Sequence, residues 1–517
     1  MCGIVASIPG QSTFLRAAID AQISRGPDET TVMDVGFAMI GINRLSISGI
    51  EGGSQPLSSP DGRIQVVFNG AIYNVERLKR EFGLNLGSKN DGEVIAPLYE
   101  RFGLQFADYL EGMFAICIAD SNTRRLVVAV DPIGIKPLYY LCSEGGAMSF
   151  ASDLRSFPPE MRRLVSRVPA GTILTSEGEW RRIARIYWND GDLLELLRVS
   201  VREQIPQEVS WGCMLSGGLD SSLIVQLASE IASPVQTITC GFRNGTDMIA
   251  GRRMAERVNS IHQEVLVDRE ELIHVVKSVV AATASMEPWT VMGGVGTYLV
   301  AREARRLGIK VLLSGEGADE LFGGYDEFQP LPDIFLDQVL LQYQADLGVT
   351  ECLRLDRCTM ANSVEARVPF LCTSVIRHAR ACATSSKIHR SGSGSICKYA
   401  LRVAAAKVMP GEFADRTKEE FSNGSGISIA LREIAEELYP PRRLRQLASK
   451  HPTFGIVSPA HAWFFAEWLA QFGDTIGLEW PSLVQRGLYR QSVSRYSAVG
   501  SETAGYGPAG ASKIRSA

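Results

Sequence analysis

From about residue 195 onward, short apolar runs alternate with helical segments, and this alternation limits the folds that the chain can adopt. The runs "SWGCML", "VQTITCGF", "HQEVLVD" and "IKVLLSG" predict strands, and the segments between them carry apolar residues at helical spacing. Strands that alternate with helices form βαβ units and a parallel sheet, which binds ligands at the carboxyl ends of its strands. After about residue 325 helical patterns dominate. The sequence therefore predicts an α/β domain with a helical C-terminal part over 195–480.

The first 190 residues show a different pattern of apolar and turn residues. Runs such as "IQVVFNGAIY", "FAICIAD" and "RLVVAVD" are separated by Gly, Pro, Asp and Asn, which is typical of strands joined by turns. Two helical stretches, "STFLRAAIDAQIS" and "DGEVIAPLYERFG", interrupt them. This pattern predicts a separate α+β layered domain over 1–190. The last residues, 490–517, are rich in Gly, Ser and Ala without an apolar period, and we expect them to be a disordered tail.

Composition narrows the class of function. A net charge of -4 over 517 residues gives no excess of positive charge that would attract nucleic acid or an anionic membrane surface. No apolar run is long enough to span a bilayer, and the first residues do not resemble a signal peptide, so we expect a cytoplasmic chain with small-molecule or protein partners. The 10 cysteines and 6 histidines show no metal-ligand spacing. Most of the cysteines are expected to be small buried hydrophobes.

A glycine-containing string lies between a predicted strand and a predicted helix in "WGCMLSGGLDSSLIVQLA". Glycines allow a ligand to approach the backbone closely, and the first N–H groups and the dipole of a helix favour an anion. The string predicts a pyrophosphate cradle of neither the Walker nor the GxGxxG type. Asp220 among anion-binding groups makes sense if Mg²⁺ accompanies the phosphates. The alternative is an ordinary turn that caps a helix.

A second string, "KVLLSGEGADELFGGY", again follows a predicted strand. Two such loops on one parallel sheet are expected to face the same crevice. We therefore predict that Asp220 of the first loop and Asp319 of the second could share a metal ion.

Cysteine is the second residue of the chain. A cysteine nucleophile needs a base at neutral pH, and the first histidine is His262, so the N-terminal domain has no imidazole to offer. If Met1 is removed, the α-amino group of Cys2, with a reference pKa of about 7.7–8.0, can act as that base. The alternative is a small residue in a first strand.

These strings together resemble the glutamine-dependent asparagine synthetase family over roughly residues 2–470, in the same order. "SGGLDSS", "SGEGADELFGGY", "ANSVEARVPFL" and "RTKEEFSNGSG" resemble its synthetase half, which cleaves ATP between the α and β phosphates. "MCGIV", "SRGPDET", "FNGAIYN" and "EGMFAICIAD" resemble its class II glutaminase half. The resemblance implies an N-terminal-nucleophile hydrolase αββα sandwich, followed by an adenine-nucleotide α-hydrolase-like parallel sheet.

The resemblance also implies roles for residues of the first domain. Cys2 would attack glutamine, while the side chain of Asn69 and the backbone N–H of Gly70 would form an oxyanion hole. Arg44 would bind the α-carboxylate of glutamine and Asp91 its ammonium group, with Asn69 and Ile47 completing the glutamine site. The alternatives are a surface arginine at Arg44 and a helix N-cap at Asp91.

In the second domain the resemblance implies ATP and Mg²⁺ as cofactors. ATP would transfer AMP to a carboxylic acid, and ammonia that crosses inside the protein would attack the acyl adenylate. Glu316 would be a general base, and Lys418 would stabilise charge on the adenylate. Relatives are often dimers, so a homodimer is expected. The implied ATP-binding residues are Met214, Ser216, Gly217, Gly218, Asp220, Ser221, Cys240, Ser314, Gly315 and Lys398.

The chain departs from the family at several positions. Ala71 stands where the family has a glutamate that helps to hold the amine of glutamine, and Ser24 and Cys372 replace a histidine and an aspartate. In "SMEPWTVMGGVGTYL" the residues 291–294 stand where polar groups would meet aspartate. Because unpaired charges in an apolar pocket are unfavourable, we expect an acceptor less polar than aspartate, from a specialised biosynthetic pathway.

Several alternatives remain at this stage. The enzyme could be an asparagine synthetase proper, or it could use a glutamine analogue and transfer hydroxylamine from a glutamyl hydroxamate. A regulatory protein with a decayed site is disfavoured by the intact Cys2, Asn69 and Asp220. A β-lactam-forming cyclase is disfavoured because it would have no use for an N-terminal cysteine.

Overall fold

The structure is a computed structural model, and it describes residues 2–8, 12–143, 146–184, 191–391, 394–416 and 424–473. The expected disordered tail and Lys418 lie outside the described residues.

The N-terminal part is a sandwich of two six-stranded antiparallel sheets. One sheet has the strand order β10-β8-β9-β1-β3-β2 and the other β12-β11-β7-β6-β5-β4. The strands are β1 (Cys2–Ser7), β2 (Glu29–Asp34), β3 (Met39–Arg44), β4 (Leu57–Ser58), β5 (Ile64–Ile72), β6 (Gly112–Asp120), β7 (Arg125–Val130), β8 (Tyr139–Cys142), β9 (Met148–Ala151), β10 (Ser166–Arg167), β11 (Thr172–Thr175) and β12 (Trp180–Arg182).

Helices cover the outer faces of both sheets. Helix α1 (Ser12–Ala21) packs against the first sheet, and α2 (Val75–Phe82) and α3 (Ile95–Phe102) pack against the second. Strand β6 is apolar along its length because both of its faces are buried. Ala115 and Cys117 face the other sheet, while Phe114 and Ile116 face the helices. The αββα sandwich expected from the sequence is confirmed.

The second part is built on a five-stranded parallel sheet with the order β15-β14-β13-β16-β17. The chain adds β14 and β15 on one side of β13 and then adds β16 and β17 on the other side, so the order of the strands reverses between β13 and β16. Such a switch point is where open α/β sheets bind ligands. Both glycine-containing loops follow these two strands. The strands are β13 (Trp211–Met214), β14 (Gln236–Gly241), β15 (Ile261–Leu266), β16 (Val311–Leu313) and β17 (Glu365–Arg367).

The described helices of this part surround the sheet and form the predicted helical C-terminal portion. They are α4 (Leu193–Gln204), α5 (Leu219–Ile231), α6 (Thr246–Arg257), α7 (Arg269–Thr283), α8 (Pro288–Arg306), α9 (Ala318–Phe322), α10 (Asp333–Asp346), α11 (Glu351–Met360), α12 (Thr373–Ala381), α13 (Thr384–Lys387), α14 (Tyr399–Ala405), α15 (Gly411–Ala414), α16 (Ile427–Leu438), α17 (Pro441–Lys450) and α18 (Pro459–Phe472).

Two features after residue 325 differ from the helical expectation. The fifth strand of the parallel sheet, β17, has only three residues, and two of them are charged, so it carries no apolar run that a pattern could detect. A hairpin of β18 (Ile388–Ser391) and β19 (Gly394–Cys397) also lies in this region. Among the described helices, none combines the length and hydropathy needed to cross a bilayer. All 10 cysteines are free and most are buried, as expected.

Buried ion pairs join the two parts. Asp356 on α11 accepts two hydrogen bonds from the Arg25 guanidinium, at 2.9 and 3.2 Å, and Lys136 lies 3.5 Å from the same carboxylate. Arg357 pairs with Asp153 at 3.1 Å. The side chains of these pairs are almost completely buried. The two domains therefore meet through paired charges as well as apolar contact.

Candidate active sites

Strand pairing places Cys2 beside the residue expected to bind the carboxylate of glutamine. In the antiparallel ladder of β1 and β3, Cys2 lies opposite Arg44, and on the other side of β3 Glu29 lies opposite Arg44. The Arg44 guanidinium donates to Glu29 at 3.0 Å and to the carbonyl of Gly49 at 2.7 Å. Arg44 is buried, so the alternative of a surface arginine is wrong.

Asn69 comes from β5 of the opposite sheet. Its side-chain Oδ1 accepts a hydrogen bond from the backbone N–H of Cys2 at 2.9 Å, which fixes the amide next to the thiol. The Nδ2 group is fully buried and has no hydrogen-bond partner among the described residues. A buried donor without an acceptor is unfavourable unless a ligand completes it. The geometry therefore fits a donor for a developing oxyanion.

Gly70 follows Asn69 at a place where no side chain fits. A Cβ atom there would lie 2.0 Å from the carbonyl oxygen of Met113 on β6. The next residue, Ala71, is buried in an apolar cluster together with Met113. The methyl group of Ala71 supplies no polar atom in place of the expected glutamate.

Asp91 and Ile47 lie near this end of the sandwich. One Asp91 oxygen accepts from the hydroxyl of Ser48 and the other from the backbone N–H of Ile72 at 2.6 Å. Burial raises the pKa of Asp91 above its ordinary value, and these hydrogen bonds oppose the rise. The N-cap alternative is wrong, because Asn90 caps this turn by accepting from Gly92. Ile47 is buried and contributes apolar surface only.

The Cys2 thiol is buried and needs a base. Burial raises its pKa above the ordinary value, while a hydrogen bond from the Leu45 backbone and the charge of Arg44 act in the opposite direction. Because no histidine precedes His262, the base candidate is the α-nitrogen of Cys2 itself, which becomes an amine only when Met1 is removed.

The two loops of the second domain are in direct contact. Gly217 has a φ of 71°, and a Cβ atom there would lie 2.4 Å from the backbone nitrogen of Gly251. A Cβ atom on Gly315 would lie 3.0 Å from the Asp220 side chain. The hydroxyls of Ser216 and Ser221 lie 3.0 Å apart at the start of α5. The two loops thus lie side by side at the carboxyl ends of β13 and β16, and a shared crevice stays a prediction.

Lys398 lies between the two acids expected to share a metal ion. Its ammonium group pairs with Asp220 of the first loop and, at 2.7 Å, with Asp319 of the second. Burial alone would lower the pKa of Lys398, but the two carboxylates outweigh it and raise the pKa. Within the described ranges, no group of three or more His, Cys, Asp and Glu side chains could hold a metal ion. Two carboxylates fit Mg²⁺ when substrate phosphates complete its coordination.

The other residues expected to bind ATP follow or end the strands beside these loops, and they differ in burial. Ser314 begins the second loop, and its backbone N–H donates to the carbonyl of Arg367 at 2.9 Å. Met214 ends β13 and is half-buried, whereas Cys240 is fully buried in the apolar core at the end of β14. Cys240 can therefore contribute backbone atoms or apolar contact.

Glu316 is held by a residue that the sequence analysis did not identify. Arg354 on α11 donates to the Glu316 carboxylate, and its guanidinium lies against Gly293 of α8. A Cβ atom on Gly293 would lie 2.3 Å from one Arg354 nitrogen. Burial raises the pKa of Glu316, and the charge of Arg354 opposes the rise. Gly293 thus makes room for the arginine beside the expected general base.

The residues 291–294 that carry the acceptor expectation lie at the start of α8. Val291 and Met292 are buried in the apolar core. Glu287 is the N-cap of α8 and accepts from the backbone N–H groups of Trp289 and Thr290. The first turns of α8 therefore direct no free carboxylate or basic group toward Glu316.

Two other departures have local roles. Cys372 is the N-cap of α12 but makes no side-chain cap, which an aspartate would supply. Ser24 contributes its backbone carbonyl to a 2.7 Å hydrogen bond from Ser363.

Glu365 and Arg367 of β17 are further residues that the sequence analysis missed. They form a buried ion pair at 2.6 Å, and Arg367 donates to the carbonyl of Gln204 at 2.8 Å. The charge of Glu365 acts on the Cys2 thiol, and Arg367 contacts the second loop through its carbonyl. The block "ANSVEARVPFL" was the available signal, but residue pattern alone gave these charges no function.

Known proteins share both halves of this arrangement. The profile of the Asparagine synthase family matches residues 192–338 and 333–460, and that of the glutamine amidotransferase domain matches residues 1–176. The chain is 30% identical over 459 residues to asparagine synthetase B (glutamine-hydrolyzing) of Escherichia coli (strain K12), covering 83% of this chain and 82% of that protein. It is 30% identical over 488 residues to asparagine synthetase (glutamine-hydrolyzing) of Zea mays, covering 87% and 83%.

Proposed function

Since the chain belongs to the asparagine synthase family, with a glutamine amidotransferase domain at its N-terminus, we propose that it transfers the amide nitrogen of glutamine to a carboxylic acid less polar than aspartate. It is a glutamine-hydrolysing, asparagine synthetase-like ligase, and its synthetase domain belongs to a family that uses ATP. The bounds of the two domains, at 1–190 and 195–480, are part of this proposal.

In the first site, Cys2 attacks the side-chain amide of glutamine. Its α-amine, once Met1 is gone, takes the thiol proton and passes it to the leaving ammonia. Asn69 Nδ2 and the Gly70 N–H stabilise the oxyanion, which the orphaned Asn69 donor supports. Water then hydrolyses the thioester. Arg44, Asp91 and Ile47 hold the amino acid end of glutamine.

In the second site, the backbone and hydroxyls of the two loops bind the triphosphate of ATP. The acceptor carboxylate attacks the α-phosphate, so that an acyl adenylate forms and pyrophosphate leaves. Mg²⁺ held by Asp220 and Asp319 would neutralise charge on the pyrophosphate. Ammonia attacks the acyl carbon and loses a proton to Glu316, which is positioned by Arg354, and the acyl–oxygen bond breaks so that AMP leaves and the amide remains. Lys418 stays a proposed charge stabiliser outside the described residues.

The residues between the two sites support an internal passage for ammonia. One apolar cluster includes Ala71 and Met113 of the first domain and Leu355 and Ala366 of the second. An apolar route excludes water and keeps ammonia neutral and nucleophilic. Released ammonia would thus reach the acyl adenylate before it is protonated.

The observation that carries the choice of acceptor is the surface of α8 beside Arg354. Glu287 is used as a helix cap, Val291 and Met292 are in the core, and Gly293 has no side chain. An acceptor with a second charged end would find no partner on these turns, and a buried charge without a partner is unfavourable. A carboxylic acid with an apolar or small neutral substituent fits better.

One alternative donor has a specific observation in its favour. Ala71 removes the carboxylate expected to help hold the amine of glutamine, which leaves room for an altered donor such as a glutamyl hydroxamate. The product would then be a hydroxamate. An asparagine synthetase proper is the other alternative, because the relatives carry that name.

The test supplies the full chain with Mg²⁺, ATP and glutamine and a panel of carboxylic acids that includes aspartate. Pyrophosphate release and product mass are measured for each acid, and the glutamyl hydroxamate replaces glutamine in a parallel panel. We expect apolar acids to give pyrophosphate and an amide at a higher kcat/KM than aspartate. A higher kcat/KM for aspartate would contradict the proposed acceptor class but leave the ligase chemistry intact. A homodimer also stays a prediction, which sedimentation of the full chain would check.

A further inference from the structure

The two proposed metal ligands are bridged by a side chain of the protein itself. Lys398 contacts both Asp220 and Asp319 with one ammonium group, and its side chain is 4% exposed. Two partly buried carboxylates and one buried ammonium together carry a net charge of -1. The position between two carboxylates, one from each loop, is also where a shared cation would be held.

The backbone is shaped to bring Lys398 to this position. Lys398 has a φ of 55°, which is uncommon for a residue with a side chain, and it immediately precedes α14. Its side chain crosses Gly324, where a Cβ atom would lie 2.1 Å from the lysine Cε and 1.8 Å from Asp319 Oδ1. A strained backbone and a closely approached glycine persist only where the surrounding structure maintains them. The surrounding structure therefore holds Lys398 in place between the two aspartates.

We propose that Lys398 is the resident counter-ion of this site, so that Mg²⁺ binds there only together with the phosphates of a nucleotide or pyrophosphate. The inference rests on the proposed function, because it takes Asp220 and Asp319 as the metal ligands. Mg²⁺ alone would bring two positive charges beside a buried ammonium that has no other acceptor in the part of the chain that the structure describes. The phosphates supply negative charge and new acceptors for Lys398, which releases the carboxylates to the metal.

The test compares binding of Mg²⁺ alone with binding of Mg²⁺ plus inorganic pyrophosphate, by calorimetry on the full chain. For the wild-type chain we expect Mg²⁺ alone to bind more weakly than about 1 mM and the pair to bind much more tightly. Lys398→Met removes the ammonium but keeps a long side chain. We expect it to bind Mg²⁺ alone at least about tenfold more tightly than wild type, and Mg²⁺ with pyrophosphate more weakly.

The matched control is Lys407→Met, which removes a lysine paired with Asp192 on the exposed surface. It should leave both affinities unchanged. Asp319→Asn, which leaves Lys398 with Asp220, should gain no affinity for Mg²⁺ alone.

The inference is overturned if wild type binds Mg²⁺ alone as tightly as Lys398→Met does. It is also overturned if wild type binds Mg²⁺ alone more tightly than about 1 mM, a measurement that needs no variant to fold. If the wild-type chain binds neither Mg²⁺-ATP nor Mg²⁺ with pyrophosphate, the proposed function fails as well. Binding of Mg²⁺-ATP without a gain in Lys398→Met refutes the counter-ion role alone.

Discussion

The two candidate sites differ in how their polar groups are satisfied before any substrate binds. In the first, a neutral amide donor of Asn69 is buried without a partner among the described residues, next to the thiol. In the second, charged groups pair with each other, as Lys398 does with Asp220 and Asp319 and Arg354 does with Glu316. In the first site the oxyanion donor needs no rearrangement, although Arg44 is paired with Glu29 at 3.0 Å. The second must exchange internal ion pairs for contacts with its ligands, because buried charges cannot be left without partners.

Loss of the Cys2 nucleophile should separate the activity of the first site from that of the second. Cys2→Ala removes the nucleophile, so glutamine-dependent synthesis should fall by roughly 10⁴-fold or more. Synthesis from added ammonium chloride should be retained, because the charges of the second site are not touched. Steady-state rates with each nitrogen source measure this. A parallel loss of both activities would show that the sites are not independent.

A smaller loss is expected when the preformed donor is removed. Asn69→Ala should lower kcat for glutamine hydrolysis by about 10²–10³-fold, the usual value for one oxyanion donor. The ammonia-dependent reaction of the same variant is the internal control. An unchanged kcat with a raised KM would instead assign Asn69 to ground-state binding.

The paired charges of the second site should respond to a small change in packing. Gly293→Ala places a methyl group against Arg354 and displaces it from Glu316, so ammonia-dependent synthesis should fall by about tenfold. Glutamine hydrolysis should not change. Gly191→Ala, whose added Cβ atom makes only ordinary contact at 3.9 Å, is the matched control. Equal effects of the two variants would contradict a specific role for Gly293.

The smallest effect concerns an acid that lies in neither site. Burial raises the pKa of Glu203 on α4 to about 7, and the charge of Glu111 adds to the rise. A carboxyl whose pKa is raised in the folded state destabilises that state as the pH rises from its unfolded value through about 7. Glu203→Gln should therefore raise the free energy of unfolding by about 1 kcal/mol at pH 8 and change it little near pH 4.5.

Chemical denaturation at the two pH values measures the difference. Glu195→Gln, on the exposed side of the same helix, is the control. A gain for Glu203→Gln that is equal at both pH values would exclude the titration of Glu203 as its cause.

The sequence predicted those parts of the fold and sites that depend on local chemistry. Strand-to-helix turns with glycine identified the loops at Ser216 and Gly315. The position of Cys2 and the absence of a histidine before His262 favour its α-amine as the base, which stays a prediction. Residues that act across long separations were not predictable in this way. Arg354 reaches Glu316 from 38 positions away, and only because Gly293 leaves space. Lys398 depends on a backbone conformation that its residue type does not favour.

Strand β17 shows a second limit of sequence patterns. Its three residues include a buried glutamate and a buried arginine, so hydropathy argues against a core strand. The ion pair between Glu365 and Arg367 makes the burial possible, and that pairing exists only in the assembled sheet. Within the parallel sheet, periodicity identified the four strands with apolar runs and missed the fifth, on which charges are paired.

The buried charges at Asp356 limit how the two halves can be separated or recombined. This carboxylate in the second half is neutralised by Arg25 and Lys136 from the first. In a chimaera that lacks one partner, the remaining charge would stay buried, and loss of one partner of a buried pair is unfavourable by about 3–5 kcal/mol. A chimaera with a half from a relative would fold well only if all three positions were transferred as a matched set. The two domains thus carry separate chemical activities, but one domain cannot be replaced without the residues that pair with it across the interface.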